Sequence, residues 1–142
     1  MPSTSHVRWE GSVAEGKGHI ETGTGTVDAD YTAAGRFGDG GGTNPEELMA
    51  ASHASCFSMA LTLILGNAGH EPESVETDAK VYLKREGEGF TIHKIELSPV
   101  GTVAGIDEAE FVEHAETAKA VCPVSKALAG VGEITLEAKL AG

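Results

Sequence analysis

The sequence predicts an α+β fold, and three observations carry that reading. A helix-forming run extends from Asn44 to about Leu65. Further on, Val75, Thr77, Ala79, Val81 and Leu83 alternate with Glu76, Asp78, Lys80 and Tyr82, the period-two pattern of a strand with one buried face. Strands and helices come in groups rather than in strict alternation, which argues against a doubly wound parallel sheet.

In chain order, Val7 to Val13 and His19 to Tyr31 are rich in Thr, Gly and β-branched residues and read as short strands joined at Glu15-Gly16-Lys17-Gly18. The stretch Ala33 to Gly42 holds five glycines and one arginine, Arg36, and reads as a mobile loop. Asn44-Pro45-Glu46-Glu47 is a helix start. Asn44 is a capping residue, Pro45 suits the first helical position, and Glu47 stands three residues after the cap. The helix runs to about Leu65 and ends near Gly66 and Gly69. Its apolar residues nearly encircle it, with small ones before Cys56, so it is expected to be a deeply buried central helix.

The alternating strand from Val75 turns at Glu86-Gly87-Glu88-Gly89 into a second strand, Phe90 to Val100, forming a hairpin. Asp107 to Ala120 is an amphipathic helix with Ile106, Phe111, Val112 and Ala115 toward the core. Cys122-Pro123 opens a short helix through about Leu128. Ile134, Leu136, Ala138 and Leu140 alternate in a final strand.

With 142 residues the chain is long enough for one cored domain, 1–142, and too short for two ordinary ones. Ten basic residues against twenty-two acidic ones give a formal charge of −12. That opposes binding to nucleic acid or an anionic membrane and favours a neutral or apolar substrate. No run approaches about 18 consecutive apolar residues, and the first residues show no basic region followed by an apolar one. The expectation is a cytoplasmic protein.

Two cysteines, Cys56 and Cys122, are present. They are open to four readings: core filler, a structural bridge, part of a metal site, or a catalytic pair. A reducing compartment disfavours a static bridge. A metal site built from Cys56, His53 and Cys122 lacks a fourth ligand, so no metal and no organic cofactor are expected. By local physics Cys122 is the better activated thiol, because it opens a helix whose free N–H groups favour a thiolate. His53, three residues before Cys56, lies on nearly the same helical face, as a tuning group, a base or a packed core histidine.

Asn44-Pro45-Glu46-Glu47-Leu48, then His53-Ala54-Ser55-Cys56-Phe57-Ser58-Met59-Ala60-Leu61, and sixty-six positions beyond Cys56 the run Cys122-Pro123-Val124-Ser125-Lys126-Ala127-Leu128, together resemble the OsmC/Ohr family of organic hydroperoxide reductases. The resemblance is collinear from Trp9-Glu10-Gly11 to the last strand. His53 and an arginine just before the long helix are more similar to the OsmC branch. The Ohr branch usually has an aromatic residue at that histidine position and its arginine nearer the N-terminus.

The resemblance implies an OsmC-like intertwined homodimer with active sites at the interface. It assigns attack on the peroxide to Cys56 and resolution to Cys122. By position it assigns the family's arginine and glutamate to Arg36 and Glu46. Arg36 would lower the Cys56 pKa and donate to the peroxide, and Glu46 would hold the guanidinium through a bidentate pair. Cys56 would become a sulfenic acid, condense with Cys122, and be restored by an external dithiol, a lipoyl protein or a small dithiol.

Read alone, Arg36 is a solvated surface residue and Glu46 merely favours the positive end of its helix. Ten residues of straight helix put Glu46 about 15 Å along the axis from Cys56, so Arg36 must bridge them or the helix must break. Met49, Phe57 and Met59 suggest an apolar pocket suited to alkyl or fatty hydroperoxides. Two alternatives stand beside this reading: a Cys–His hydrolase using Cys56 and His53, which has no need of Cys122, and a redox-inert binding protein.

Overall fold

A computed structural model describes all 142 residues, and the chain resolves into two compact units, Met1–Leu48 and Met49–Gly142. The boundary falls inside one helix.

The first unit is a three-stranded antiparallel meander, β1 (Ser5–Glu10), β2 (Lys17–Thr22) and β3 (Asp28–Tyr31), in that spatial order. Gly18 of β2 pairs with Trp9 on one side and Tyr31 on the other. The two rings meet over it, centroids 5.4 Å apart. A Cβ at position 18 would lie 2.1 Å from the Tyr31 ring, so the aromatic pair requires glycine there. The glycine-rich segment is not simply a loop. It forms a short helix, α1 (Ala33–Phe37), because Thr32 caps it, its hydroxyl accepting from the Gly35 N–H at 3.0 Å. Arg36 therefore projects from a helix.

Helix α2 runs unbroken from Pro45 to Asn67, so a break between Glu46 and Cys56 is ruled out. It begins as its sequence dictates, with the Asn44 side chain accepting from the Glu47 N–H at 2.8 Å. The Glu47 carboxylate does not complete a capping box. It accepts from the Thr43 hydroxyl at 2.7 Å. By length and mean hydropathy, 1.6, α2 also matches a membrane-crossing helix, a match that core helices share.

The second unit is built on a long hairpin, β4 (Ser74–Glu86) and β5 (Gly89–Thr102), closed through Gly87 at φ 60°. The pairing slips between Tyr82 and Leu83, where the partner skips from Lys94 to Ile92 and leaves His93 as the extra residue of a bulge. The single final strand expected from the alternation is divided in two. β6 (Glu133–Leu136) and β7 (Lys139–Leu140) both run parallel to β5, and the Glu137 N–H between them donates to the Leu97 carbonyl at 2.9 Å. Between β5 and β6 lie α3 (Glu108–Val121), capped by Asp107, and α4 (Pro123–Ala127).

One face of β5, with Ile95 and Leu97, meets Phe57, Leu61 and Leu65 of α2 and Phe111, Ala115 and Ala118 of α3 in a continuous core. Phe111 packs so close to Gly101 that a Cβ there would lie 2.4 Å from its ring. The expectation of a deeply buried α2 needs correction for the single chain. His53, Phe57, Leu61 and Leu65 form one buried stripe, whereas Met59 and Leu63 are 76% and 64% exposed. An all-round apolar pattern does not say which side finds a cover.

Candidate active site

The long helix and the turn after α3 bring the two cysteines together. Cys56 lies midway along α2, and Cys122 is the hinge residue between α3 and α4. Both are free thiols, and they stand within hydrogen-bonding reach of each other.

Their surroundings differ. Cys122 is fully buried. Burial alone pushes its thiol up. The Ser125 N–H, the Cys56 thiol, the Ser125 hydroxyl and the Val124 N–H together outweigh that and leave it below the ordinary thiol value. Cys56 is half-buried and is moved the other way. Desolvation raises it, the Val124 N–H opposes, and the neighbouring sulfur raises it again. Pro123 has no N–H to give, so the chain places its donors at positions 124 and 125, where the α4 backbone turns back over the sulfurs.

Access follows the opposite order. Cys56 lines an open apolar cavity of about 480 Å³, with Met59, Ala60, Leu63, Ile64, Val121 and Pro123 as its other walls. Of the three side chains expected to form an apolar pocket, only Met59 does so. Phe57 is fully buried in the core and Met49 packs against it. A small apolar molecule entering this cavity meets Cys56, and Cys122 lies out of reach.

His53 reaches across to α4. Its Nε2 lies 2.7 Å from the Ser125 hydroxyl, and its buried Nδ1 has no partner. Burial holds its pKa below the usual histidine value. Ser125 is the polar residue that sequence reading passed over. Its signal was the Cys-x-x-Ser spacing, which returns a hydroxyl and an N–H to the first residue of a helical turn.

In the first unit, Arg36 and Glu46 form a two-pronged ion pair. Arg36 Nη2 donates to Glu46 Oε1 at 2.6 Å, and Nε donates to Oε1 at 3.2 Å and to Oε2 at 3.1 Å. Glu46 is buried at 8% exposure. The guanidinium also stacks on the Phe37 ring at 5.3 Å and lines a cavity of about 230 Å³ with Trp9, Val13, Tyr31, Thr32 and Ala33. A carboxylate held this way fixes the plane of the guanidinium and leaves its remaining N–H groups for another acceptor.

Comparison with known proteins adds to these observations. Residues 38–137 match the model of the family described as OsmC-like protein. The chain is 47% identical over 133 residues to the Escherichia coli protein named peroxiredoxin OsmC, covering 93% of this chain and 92% of that one. It is 35% identical over 124 residues to the Bacillus subtilis organic hydroperoxide resistance protein OhrB, covering 86% and 89%. Among solved structures, an organic hydroperoxide resistance protein OsmC from Legionella pneumophila superposes with a TM-score of 0.74 at 28% identity, over 98% of this chain and 97% of that one. The OhrB crystal structure from Bacillus subtilis gives 0.71 at 30% identity, over 97% and 98%. The match to the family model covers well over half of the sequence and agrees with the α+β architecture described above: the chain belongs to the OsmC-like protein family.

Proposed function

We propose that this protein is a thiol peroxidase that reduces organic hydroperoxides to alcohols, with Cys56 as the attacking residue and Cys122 as the resolving one. The observation that carries this reading is the unequal pair: two free thiols in contact, one open to an apolar cavity and the other sealed beneath it among N–H donors. The names of the relatives, peroxiredoxin and organic hydroperoxide resistance protein, point the same way.

In the first step the Cys56 thiolate attacks the terminal peroxide oxygen. The O–O bond breaks, an S–O bond forms, and the alkoxide takes a proton and leaves as alcohol. Cys56 is then a sulfenic acid. Cys122 attacks that sulfur, the S–O bond breaks, hydroxide leaves, and a disulfide remains. An external dithiol, a lipoyl protein or a small molecule, returns both thiols and carries away the two electrons.

Burial and the adjacent sulfur raise the Cys56 thiol above its ordinary value, so the first step calls for a positive charge beside it. Arg36, held by Glu46, fills that role in this proposal, from the same chain or from a second copy. The exposed Met59 and Leu63 support a homodimer in which the α2 helices cover one another. Apolar walls favour alkyl over hydrogen peroxide as substrate, and the reaction is assigned to the cytoplasm. A Cys–His hydrolase is disfavoured, because His53 is committed to Ser125 and burial disfavours its charged form.

The test is to count thiols before and after one equivalent of cumene hydroperoxide. Loss of both thiols, with one alcohol formed and a Cys56–Cys122 bridge found by peptide mapping, supports the reading. An unchanged thiol count overturns it. Multiple turnover that survives Cys122→Ser removes the resolving role.

A further inference from the structure

His53 is the one histidine of six that is fully buried. It makes a single hydrogen bond, 2.7 Å from Nε2 to the Ser125 hydroxyl, across 72 positions of sequence. The same hydroxyl reaches the Cys122 sulfur. A serine hydroxyl has one hydrogen to give and stands here between two acceptors, so the imidazole tautomer decides where that hydrogen points.

Were Nε2 bare, Ser125 would donate to it and present a lone pair to Cys122, which would then have to remain a thiol. With the hydrogen on Nε2, the imidazole donates to Ser125 and the serine hydrogen turns to the sulfur. The other ring nitrogen selects between these. Nδ1 is buried with no partner, and an orphaned buried N–H is rarer in folded proteins than an under-used acceptor. The hydrogen therefore sits on Nε2. Burial also disfavours the imidazolium, so His53 does not take up the Cys122 proton as a base.

We propose that His53 is a positioning residue for Cys122: its Nε2–H donates to Ser125 Oγ, and the Ser125 hydroxyl in turn donates to the Cys122 sulfur, a donor chain that favours the charged sulfur over the thiol beside Cys56. The inference rests on the two-thiol reading above. Its place is the second step, where the Cys122 thiolate displaces hydroxide from the Cys56 sulfenic acid. The same donor chain stabilises Cys122 as the leaving thiolate when a dithiol attacks the Cys56 side of the disulfide. The groups facing the Cys122 sulfur are the Cys56 thiol from α2 and the Val124 N–H, Ser125 N–H and Ser125 hydroxyl from α4. From α3, Ala118 offers only a methyl group and the carbonyl that accepts the Cys122 N–H.

Single-turnover reaction with cumene hydroperoxide separates the steps, because sulfenic acid formation reports attack and its conversion to disulfide reports resolution. His53→Phe keeps the ring and removes the donor. Ser125→Ala removes the link without touching the ring. His53→Gln presents an amide N–H near the Nε2 position. Both donor-removing variants should slow disulfide formation about tenfold, the effect of one hydrogen bond to a charged group, with His53→Gln recovering most of the rate. Attack at Cys56 should be little changed. In a Cys56→Ser background, the pH midpoint of Cys122 thiolate absorbance should rise in His53→Phe and hold in His53→Gln.

Resolution at the parental rate in both His53→Phe and Ser125→Ala overturns the proposal. So does a slowing that His53→Gln fails to recover, since that marks packing alone. If the parental protein forms no sulfenic acid at all, the peroxidase reading itself fails, and the two failures are distinct.

Discussion

Replacing Glu46 with glutamine tests the clamp on Arg36 with little change of shape. The carboxylate now accepts three hydrogen bonds, two at Oε1 and one at Oε2. A glutamine has one carbonyl oxygen, so at least one bond is lost and an NH2 group is turned toward a guanidinium that also donates. Glu46 is 8% exposed, so water does little to relieve that clash. The Arg36 side chain is 34% exposed, so the freed cation is partly hydrated. A hydrogen bond to a charged group contributes about 1.5–3 kcal/mol, and loss of one partner of a fully buried pair costs about 3–5 kcal/mol. The open side of the arginine puts this case at about 1–2 kcal/mol of stability. The cost to chemistry should be larger, about tenfold to a hundredfold in Cys56 oxidation, because a guanidinium displaced by an ångström no longer meets its target. Urea unfolding gives the first quantity, and single-turnover peroxide reaction gives the second. Parental values for both would refute the reasoning, and a stability loss with unchanged oxidation would confine Glu46 to the fold.

Further outcomes follow from other features. His53 has a folded-state pKa below its ordinary 6.5 because of burial. The unfolded chain therefore binds its proton first, and stability should hold above about pH 6.5 and fall below it, by up to about 1.4 kcal/mol per pH unit. Parallel urea titrations should show His53→Gln lacking that component, and equal pH slopes would refute the linkage. Gly101→Ala must push the Phe111 ring aside from a 2.4 Å approach and should cost about 1–3 kcal/mol by thermal or urea unfolding. Leu63→Glu charges the exposed face of α2 and should turn the proposed dimer into a monomer by light scattering while leaving far-ultraviolet circular dichroism intact. A dimer that persists would place the interface elsewhere.

How much of this was legible in the sequence depends on the range of each interaction. The start of α2 was legible because Asn44 and Pro45 act within one turn, and the hairpin because alternation and the Gly87 turn are local. α1 was hidden by Gly35 and the glycines that follow it: propensity favours a loop, and the helix exists because Thr32 caps it. The division of the last strand was hidden because the Glu137 N–H finds the Leu97 carbonyl, a partner 40 positions away. The exposed side of α2 was unreadable in principle, since nearly every face of that helix is apolar. The cysteine pair and the Arg36–Glu46 pair were each named through long motifs. The link from His53 to Ser125 spans 72 positions, and no local pattern announces it.

The meeting of Cys56 and Cys122 has a mechanical side. The sulfurs close a ring of chain sixty-six positions around, holding the hairpin and α3 between them. A covalent bond across a ring of that size removes about 4 kcal/mol of disorder from the unfolded chain on the loop-entropy account. The oxidised molecule should therefore melt well above the reduced one, and on the proposed chemistry resistance to proteolysis would record which molecules have met a peroxide and still await electrons.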